Sequence, residues 1–296
     1  MVSLKHDASP AHNDDDSQLY DSGEGGHPPE LYHWDRKAEP FEGLGAIDEA
    51  AVEQYRRDGF IAVDQVFDPE EVKAALAGWE DLALRKNPEY KGVHYERFAR
   101  GKLDQMSDQE KMDAVRKLSW FVDFDERLHH MAYKKELIAV ITRLLGGKAP
   151  AMFQDMALSK PPRHGREKPW HQDHAYFNYP VDTPIVGCWI ALDPVDVDNG
   201  CMQVLAGGHH EPIIHFKRRD WQICDKDMLG KTSVAVPLQP GGALFFDGKI
   251  PHGTPDNHSE RRRRALQFHY LPAEADKCSS EERLAVWGSE GKDVEC

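Results

Sequence analysis

The stretch Trp170-His171-Gln172-Asp173-His174 places an imidazole and a carboxylate two residues apart. If this stretch ends a β-strand, side chains at positions i and i+2 leave the same face, about 7 Å apart along the backbone. Both side chains can then bind one ion. Two histidines and one carboxylate, with further coordination positions left open, are the ligands of non-haem Fe(II) oxygenases. His171 and Asp173 are therefore candidate metal ligands, and a third ligand must come from elsewhere in the chain.

The candidate for the third ligand is His252, within Ile250-Pro251-His252-Gly253. It follows Pro240 to Asp247, a segment that has the pattern of a turn leading into a buried strand. The chain has 16 histidines, and a single one is more often a surface or core residue than a ligand. What selects His252 is the order of a His-x-Asp pair and a downstream histidine within a β-rich half, since distant strands of a sandwich are often neighbours in space.

Composition narrows the class of protein. The 296 residues carry a formal net charge of −14 and have a pI near 5.6, which argues against nucleic-acid and anionic-membrane partners. No signal peptide and no apolar run of about 18 residues is found. The five cysteines are odd in number and lack metal-type spacing, which predicts free thiols, a reducing compartment and a cytoplasmic location. The expected partner is a small-molecule substrate, and the sequence does not indicate an oligomeric state.

Changes in composition and residue pattern along the sequence divide the chain into four predicted parts. Residues 1–44 hold few aliphatic side chains and predict a mobile polar leader, pinned at most by Leu31, Tyr32 and Trp34. Residues 45–148 predict a helical N-terminal part that packs on the core. Residues 149–273 predict a β-rich catalytic core, and residues 274–296 a polar C-terminal tail with one or two helical turns.

The predicted elements follow from caps, periodicity and turn signals. Capping patterns at Asp68-Pro69 and at Ser107 with Glu110 predict helices that reach about Asn87 and Leu118. Further helices are predicted over 47–58 and 134–145, and a strand over 60–63. Eight strands, which suit a jelly roll, are predicted over 151–159, 168–173, 185–192, 201–205, 213–216, 233–238, 243–246 and 263–271.

The segment Arg261 to Tyr270 begins with four arginines and continues as a strand pattern. Strand alternation places Arg264, Leu266, Phe268 and Tyr270 on one face, which is mostly apolar and predicted to pack. Arg263, Ala265, Gln267 and His269 share the other face. That polar face can line a cavity, in which a guanidinium would bind a carboxylate through two parallel hydrogen bonds.

Over roughly Lys117 to Leu271 the sequence resembles the phytanoyl-CoA dioxygenase family of Fe(II)- and 2-oxoglutarate-dependent oxygenases. Its specific motifs are Trp170 to His174, Asp198-Asn199-Gly200-Cys201-Met202, Gly207-Gly208-His209, and Gly242 to Tyr270. The resemblance implies a mainly β chain with N-terminal helices, built on a double-stranded β-helix core of the jelly-roll, cupin-like type.

The resemblance also implies roles for particular residues. Iron would be bound by His171, Asp173 and His252, and the distal carboxylate of 2-oxoglutarate by Arg263. Further residues of the cosubstrate pocket would be Lys117, Met156, Trp189 and Thr254, although Met156 and Trp189 also suit a core, Lys117 a solvated helix and Thr254 a loop.

Two comparisons with the family pattern bear on activity. Ala206-Gly207-Gly208-His209 stands where the family usually has Pro-Gly-Ser-His, so a hydroxyl is lost. Asp173 is retained, whereas halogenating relatives have a small residue at that position, and this favours hydroxylation or another oxidation.

The predicted function is therefore a dioxygenase that uses Fe(II), 2-oxoglutarate and O₂ to hydroxylate or otherwise oxidise an aliphatic carbon, with release of succinate and CO₂. One alternative is a metal-dependent hydrolase or isomerase on a cupin-like barrel, because the same ligands suit catalytic zinc. Another is a non-catalytic sensor of 2-oxoglutarate. No motif selects the primary substrate, and the resemblance leaves an acyl-CoA, a free amino-acid-like compound and a secondary metabolite open.

Overall fold

Two β-sheets packed face to face carry the fold, and helices cover the outer face of the larger sheet. The structure is a computed structural model, and it describes residues 27–288. The strands are β1 (Trp34–Lys37), β2 (Phe41–Glu42), β3 (Phe60–Asp64), β4 (Val93–Tyr95), β5 (Val115–Ser119), β6 (Pro150–Lys160), β7 (Lys168–His171), β8 (Val186–Ala191), β9 (Met202–Val204), β10 (His215–Lys217), β11 (Trp221–Ile223), β12 (Ser233–Val236), β13 (Ala243–Asp247), β14 (His252–Thr254) and β15 (Arg263–Pro272).

The helices begin where the sequence supplies caps. Asp68 accepts hydrogen bonds from the backbone of Glu70 and Glu71, and Ser107 forms a capping box with Glu110, so the predicted starts of two helices are confirmed. The α-helices are α1 (Glu49–Asp58), α2 (Pro69–Ala83), α3 (Asp108–Ala114), α4 (Glu126–Tyr133), α5 (Lys135–Leu144), α6 (Asp225–Met228) and α7 (Ser280–Trp287).

The larger sheet has the strand order β2-β3-β13-β8-β15-β6-β5-β4, and the smaller one β1-β12-β9-β14-β7. Strand β13 shows how the layers are built, because its side chains alternate. Ala243 and Phe245 pack against the helical layer, whereas Leu244 and Phe246 pack between the two sheets. This layered sandwich confirms the predicted mainly β double-stranded β-helix with N-terminal helices.

The first half of the chain differs from the sequence-based expectation at three points. Residues 27–44 pack on the sheets instead of forming a mobile leader, since β1 pairs with β12 and β2 with β3; residues 1–26 of that prediction lie outside the described residues. Residues 45–148, predicted to be helical apart from a strand over 60–63, contain that strand as β3 and also supply β4 and β5 to the larger sheet. The helix from Ser107 ends at Ala114, and the chain continues as β5 because its backbone pairs with β6.

Two further expectations need correction. The second helix ends at Ala83 and not near Asn87. Cys224 is disulfide-bonded, whereas Cys188, Cys201 and Cys278 are free, so the expectation of free thiols throughout was wrong. A disulfide depends on how closely two cysteines approach in space, which sequence spacing does not reveal.

Candidate active site

Three predicted metal ligands meet between the two sheets. His171 ends β7 and His252 begins β14, and the two residues lie directly opposite each other in the antiparallel pair. Asp173 follows as the first residue of a 3-10 helix, Asp173–Tyr176. One ligand atom from each residue lies within 4.8 Å of the others, and all three residues are buried. The strand was predicted to reach Asp173, but it ends at His171, and the turn brings the carboxylate back toward both imidazoles.

Backbone carbonyls fix the orientation of both imidazoles. His171 Nδ1 lies 2.7 Å from the Pro169 carbonyl oxygen, and His252 Nδ1 lies 3.0 Å from that of Ile250. A carbonyl can only accept, so each Nδ1 carries the proton and each Nε2 keeps a free lone pair. Burial and the neighbouring His171 lower the pKa of His252 to about 4, which keeps that ring neutral at neutral pH.

The carboxylate of Asp173 completes the set. Its Oδ1 lies 3.2 Å from His171 Nε2, and its Oδ2 lies 3.6 Å from His252 Nε2. Burial by itself raises the pKa of this carboxyl, but the surrounding imidazoles, those of His252 and His269 first, and the hydrogen bond from His269 hold that pKa well below its usual range. Two imidazole nitrogens and one carboxylate oxygen are a ligand set that fits Fe(II), and the same set also suits zinc.

These ligands line a cavity of about 560 Å³ that both sheets enclose. Every residue predicted for the cosubstrate pocket also lines it. These residues are Lys117, Met156, Trp189, Thr254 and Arg263. The structure therefore brings together all eight residues that the sequence singled out, without testing the role of any one of them.

Strand register explains this convergence. Gln267 of β15 pairs with Met156 of β6 on one side and with Trp189 of β8 on the other, so the three side chains form one row across the sheet. Lys117 lies on β5, opposite Leu158 of β6. The prediction of a helix at Lys117 was wrong, and its strand position is what directs this side chain into the cavity.

Arg263 is a charged group buried in this cavity. The side chain is buried, and its Nε and Nη1 atoms have no hydrogen-bond partner among residues 27–288. Its guanidinium stacks over Trp189 at 5.2 Å, and the buried hydroxyl of Thr254 is also without a partner in the described part of the chain. Burial lowers the pKa of Arg263 to about 10, so the group stays charged at neutral pH. A ligand carboxylate at this point would satisfy donors that the protein leaves unpaired.

A charged wall lines another part of the cavity. Lys168 forms an ion pair with Asp220 and also donates a hydrogen bond of 3.3 Å to the Tyr176 hydroxyl. Burial alone would lower the pKa of Lys168, but the Asp220 carboxylate raises it above its usual value. Arg166 Nε lies 3.7 Å from Glu96 Oε2. These pairs place both signs of charge in the cavity that contains the metal ligands.

Sequence reasoning missed the residues that fix the backbone between the ligands. The backbone N–H of Gln172 donates a hydrogen bond to His215 Nε2 at 3.1 Å. His215 Nδ1 in turn donates to the Ile213 carbonyl at 2.8 Å. Burial lowers the pKa of His215 to about 3, so this ring is a neutral acceptor. Nothing in the spacing of His215 distinguishes it from the other histidines of the chain. Its role depends on a contact across 43 residues of sequence.

Comparisons with known proteins agree with this geometry. Residues 55–265 match the phytanoyl-CoA dioxygenase family. The bovine (Bos taurus) peroxisomal phytanoyl-CoA dioxygenase is 26% identical over 231 residues, which cover 74% of this chain and 67% of that protein. Another relative, the zebrafish (Danio rerio) phytanoyl-CoA dioxygenase domain-containing protein 1, is 28% identical over 46% of this chain and 50% of its own.

Among solved structures, EvdO2 from Micromonospora carbonacea var. aurantiaca superposes with a TM-score of 0.63 at 25% identity, covering 79% of this chain and 94% of its own. EvdO2 has also been solved in complex with 2-oxoglutarate. In residues 27–288 no helix combines the length and apolar character needed to cross a membrane. The match of a family-wide profile to most of the chain, on the same residues that build the cavity, places this protein in the phytanoyl-CoA dioxygenase family.

Proposed function

We propose that this protein is an oxygenase that uses Fe(II), 2-oxoglutarate and O₂ to hydroxylate, or otherwise oxidise, an aliphatic carbon of a small-molecule or acyl substrate. Succinate and CO₂ are the coproducts. The observation that carries the proposal is a single cavity that holds both a buried two-histidine, one-carboxylate set and a buried, unpaired arginine.

The residues have separate tasks in this proposal. His171, Asp173 and His252 bind the metal, and Arg263 binds the distal carboxylate of 2-oxoglutarate. Thr254, Lys117, Trp189 and Met156 form the rest of the cosubstrate pocket. When bound, the metal and 2-oxoglutarate would activate O₂, the oxidant, which is chemistry that protein side chains cannot supply. The protein contributes fixed ligands, a cationic clamp and walls that limit access of water.

Two alternatives differ from this proposal in what they require. A hydrolase or isomerase with zinc at the same ligands has no use for an unpaired guanidinium, so Arg263 argues against it. A sensor would bind 2-oxoglutarate without consuming it. Solved neighbours include proteins described as a carbocyclase and an epimerase, SnoK and SnoN, and for this reason the proposal includes oxidations other than hydroxylation.

The walls of the cavity favour a polar primary substrate. The cavity that contains the metal ligands is also lined by the pairs Lys168–Asp220 and Arg166–Glu96. A long saturated chain would strip water from these charged groups without replacing their interactions, which costs free energy. We therefore expect short polar carboxylic acids to stimulate 2-oxoglutarate consumption more than long-chain acyl-CoA thioesters do. Stronger stimulation by the thioesters would contradict this substrate class.

The function is tested by following the cosubstrate and the product together. Protein loaded anaerobically with Fe(II) should consume 2-oxoglutarate on exposure to O₂ and form an equal amount of succinate, even slowly without a primary substrate. Binding without any consumption would indicate the sensor. Mass spectrometry of products formed in excess chloride should show gain of oxygen or loss of two hydrogens, whereas a dominant chlorinated product would refute the proposed reaction. The predicted cytoplasmic location stays a prediction, since several relatives are described as peroxisomal.

A further inference from the structure

The two oxygens of the Asp173 carboxylate lie in different surroundings. Oδ2 is 2.8 Å from His269 Nε2 and 3.0 Å from Gln267 Nε2. Oδ1 has no recorded hydrogen bond to His269 or Gln267. It lies 3.2 Å from His171 Nε2. Oδ2 therefore takes both of these hydrogen bonds and lies 3.6 Å from His252 Nε2, whereas Oδ1 takes neither and lies closer to a ligand imidazole, that of His171.

Charge fixes the direction of both hydrogen bonds on Oδ2. An ionised carboxylate can only accept, so the Gln267 amide must present its NH₂ group and His269 must carry its proton on Nε2. The reversed amide would place Gln267 Oε1 against an anionic oxygen. Gln267 Nε2 and His269 Nε2 lie 3.4 Å apart, as expected for two donors that converge on one acceptor. His269 Nδ1 has no hydrogen-bond partner in the described part of the chain, so Nε2 is the ring nitrogen through which His269 contacts the carboxylate.

We propose that Gln267 and His269 are positioning residues that hold Asp173 Oδ2 so that the carboxylate offers Oδ1 alone to the metal. This inference rests on the proposed function of the same site. A carboxylate free to turn can bind through both oxygens and occupy a position that the cosubstrate or O₂ requires. Outer partners of this kind set the orientation and the affinity of a metal ligand.

The placement of these residues links the metal site to the cosubstrate site. Arg263, Gln267 and His269 lie on one face of β15, and the register with β6 and β8 fixes their spacing. The strand comes from the larger sheet, whereas His171 and His252 come from the smaller one. A single rigid strand therefore positions both the carboxylate ligand and the guanidinium clamp, across the space between the sheets.

The test uses Co(II), whose visible spectrum reports its coordination, on the full-length protein. In Gln267→Met and His269→Leu we expect Co(II) affinity to fall about 10- to 100-fold and the visible spectrum to change. Gln203→Met is the matched control, because Gln203 is also a buried strand glutamine but its side chain accepts a hydrogen bond from Ser233. This control should keep the affinity and spectrum of the unmodified protein.

A second variant at position 269 separates hydrogen bonding from packing. His269→Gln can present an amide donor at nearly the reach of Nε2 and should recover most of the affinity that His269→Leu loses. Equal losses of Co(II) affinity in His269→Leu and His269→Gln would overturn the inference. So would a folded Gln267→Met variant with the Co(II) affinity and spectrum of the unmodified protein. If His269→Leu does not fold, Gln267→Met against Gln203→Met decides. Failure of the unmodified protein to bind one Co(II) would instead refute the proposed metal site itself.

Discussion

Arg263 and Arg264 are neighbours on β15, and both are buried, yet their surroundings are opposite. Arg264 donates to both oxygens of Asp193, through Nε and Nη2 at 2.9 Å each, and to Glu80 at 3.0 Å. Arg263 stacks on Trp189 and leaves Nε and Nη1 without a partner among the described residues. Burial alone therefore does not distinguish a structural arginine from a binding one, whereas the satisfaction of its donors does.

The same contrast extends along the whole strand. Leu266, Phe268 and Tyr270 share the face of Arg264 and pack into the core beneath the helices. Gln267 and His269 share the face of Arg263 and bind the carboxylate of the site. One face should thus determine stability and the other activity, and substitutions can test that division.

The largest effect is expected at the metal ligands, where His252→Ala should abolish turnover. The substitution removes one of three protein ligands and leaves the remaining two unable to hold the ion in a defined geometry. Binding of Mn(II) measured by calorimetry and consumption of 2-oxoglutarate should both be lost while the thermal midpoint changes little. Full metal affinity and activity in this variant would show that His252 is not a ligand.

Arg263→Ala should raise the concentration of 2-oxoglutarate required for turnover by roughly thirtyfold to several thousandfold. Loss of a charge-assisted bidentate pair in a partly dry pocket costs about 2–5 kcal/mol. Metal binding should stay near normal. Arg262→Ala is the control, because Arg262 is the other neighbour of Arg263 in the chain and forms an ion pair with Asp113 outside the cavity. Similar effects of the two substitutions on the 2-oxoglutarate requirement would contradict the assignment of Arg263 as the clamp.

Arg264→Ala should affect stability and leave the cosubstrate requirement unchanged. It removes the partner of Asp193 and Glu80, and a partly buried carboxylate left unpaired costs about 1–3 kcal/mol. Urea unfolding should show a lower midpoint, while the dependence of turnover on 2-oxoglutarate matches that of the unmodified protein. A raised 2-oxoglutarate requirement without loss of stability would place Arg264, and not its neighbour, in the binding site.

Much of this contrast could be predicted from local pattern. Alternation along Arg263 to Tyr270 separated the two faces correctly, because a strand period of two is a local property. The pair His171 and Asp173 was visible for the same reason. Capping boxes at Asp68 and Ser107 marked helix starts, which depend on a few adjacent residues.

What the sequence did not reveal depends on distant pairing. The strand at Lys117 forms because β6 lies beside it, and the segment at Trp34 forms β1 because β12 does. Neither segment has a local pattern that outweighs the helix or leader prediction. The contact of His215 with Gln172 likewise joins residues 43 positions apart in the chain. Tertiary contacts override local propensity at such positions.

The smallest expected effect concerns Lys117, which lines the cavity without a hydrogen-bond or ion-pair partner in the described part of the chain. Burial, followed by the charges of Arg116 and Lys168, lowers its pKa to about 8. If the Lys117 ammonium contributes to binding the dicarboxylate, the affinity for 2-oxoglutarate is constant at pH values below this pKa. The affinity then declines as the pH rises above the pKa, because the ammonium loses its proton. The decline in affinity should be at most about tenfold per pH unit, since one proton is linked to binding.

Calorimetric titration of the Mn(II)-loaded protein with 2-oxoglutarate between pH 6.5 and 9 measures this decline. The Lys117→Met variant should bind 2-oxoglutarate more weakly, with no such decline above pH 8. An identical pH dependence in both proteins would show that this lysine does not contribute to cosubstrate binding and would leave Arg263 as the cation responsible.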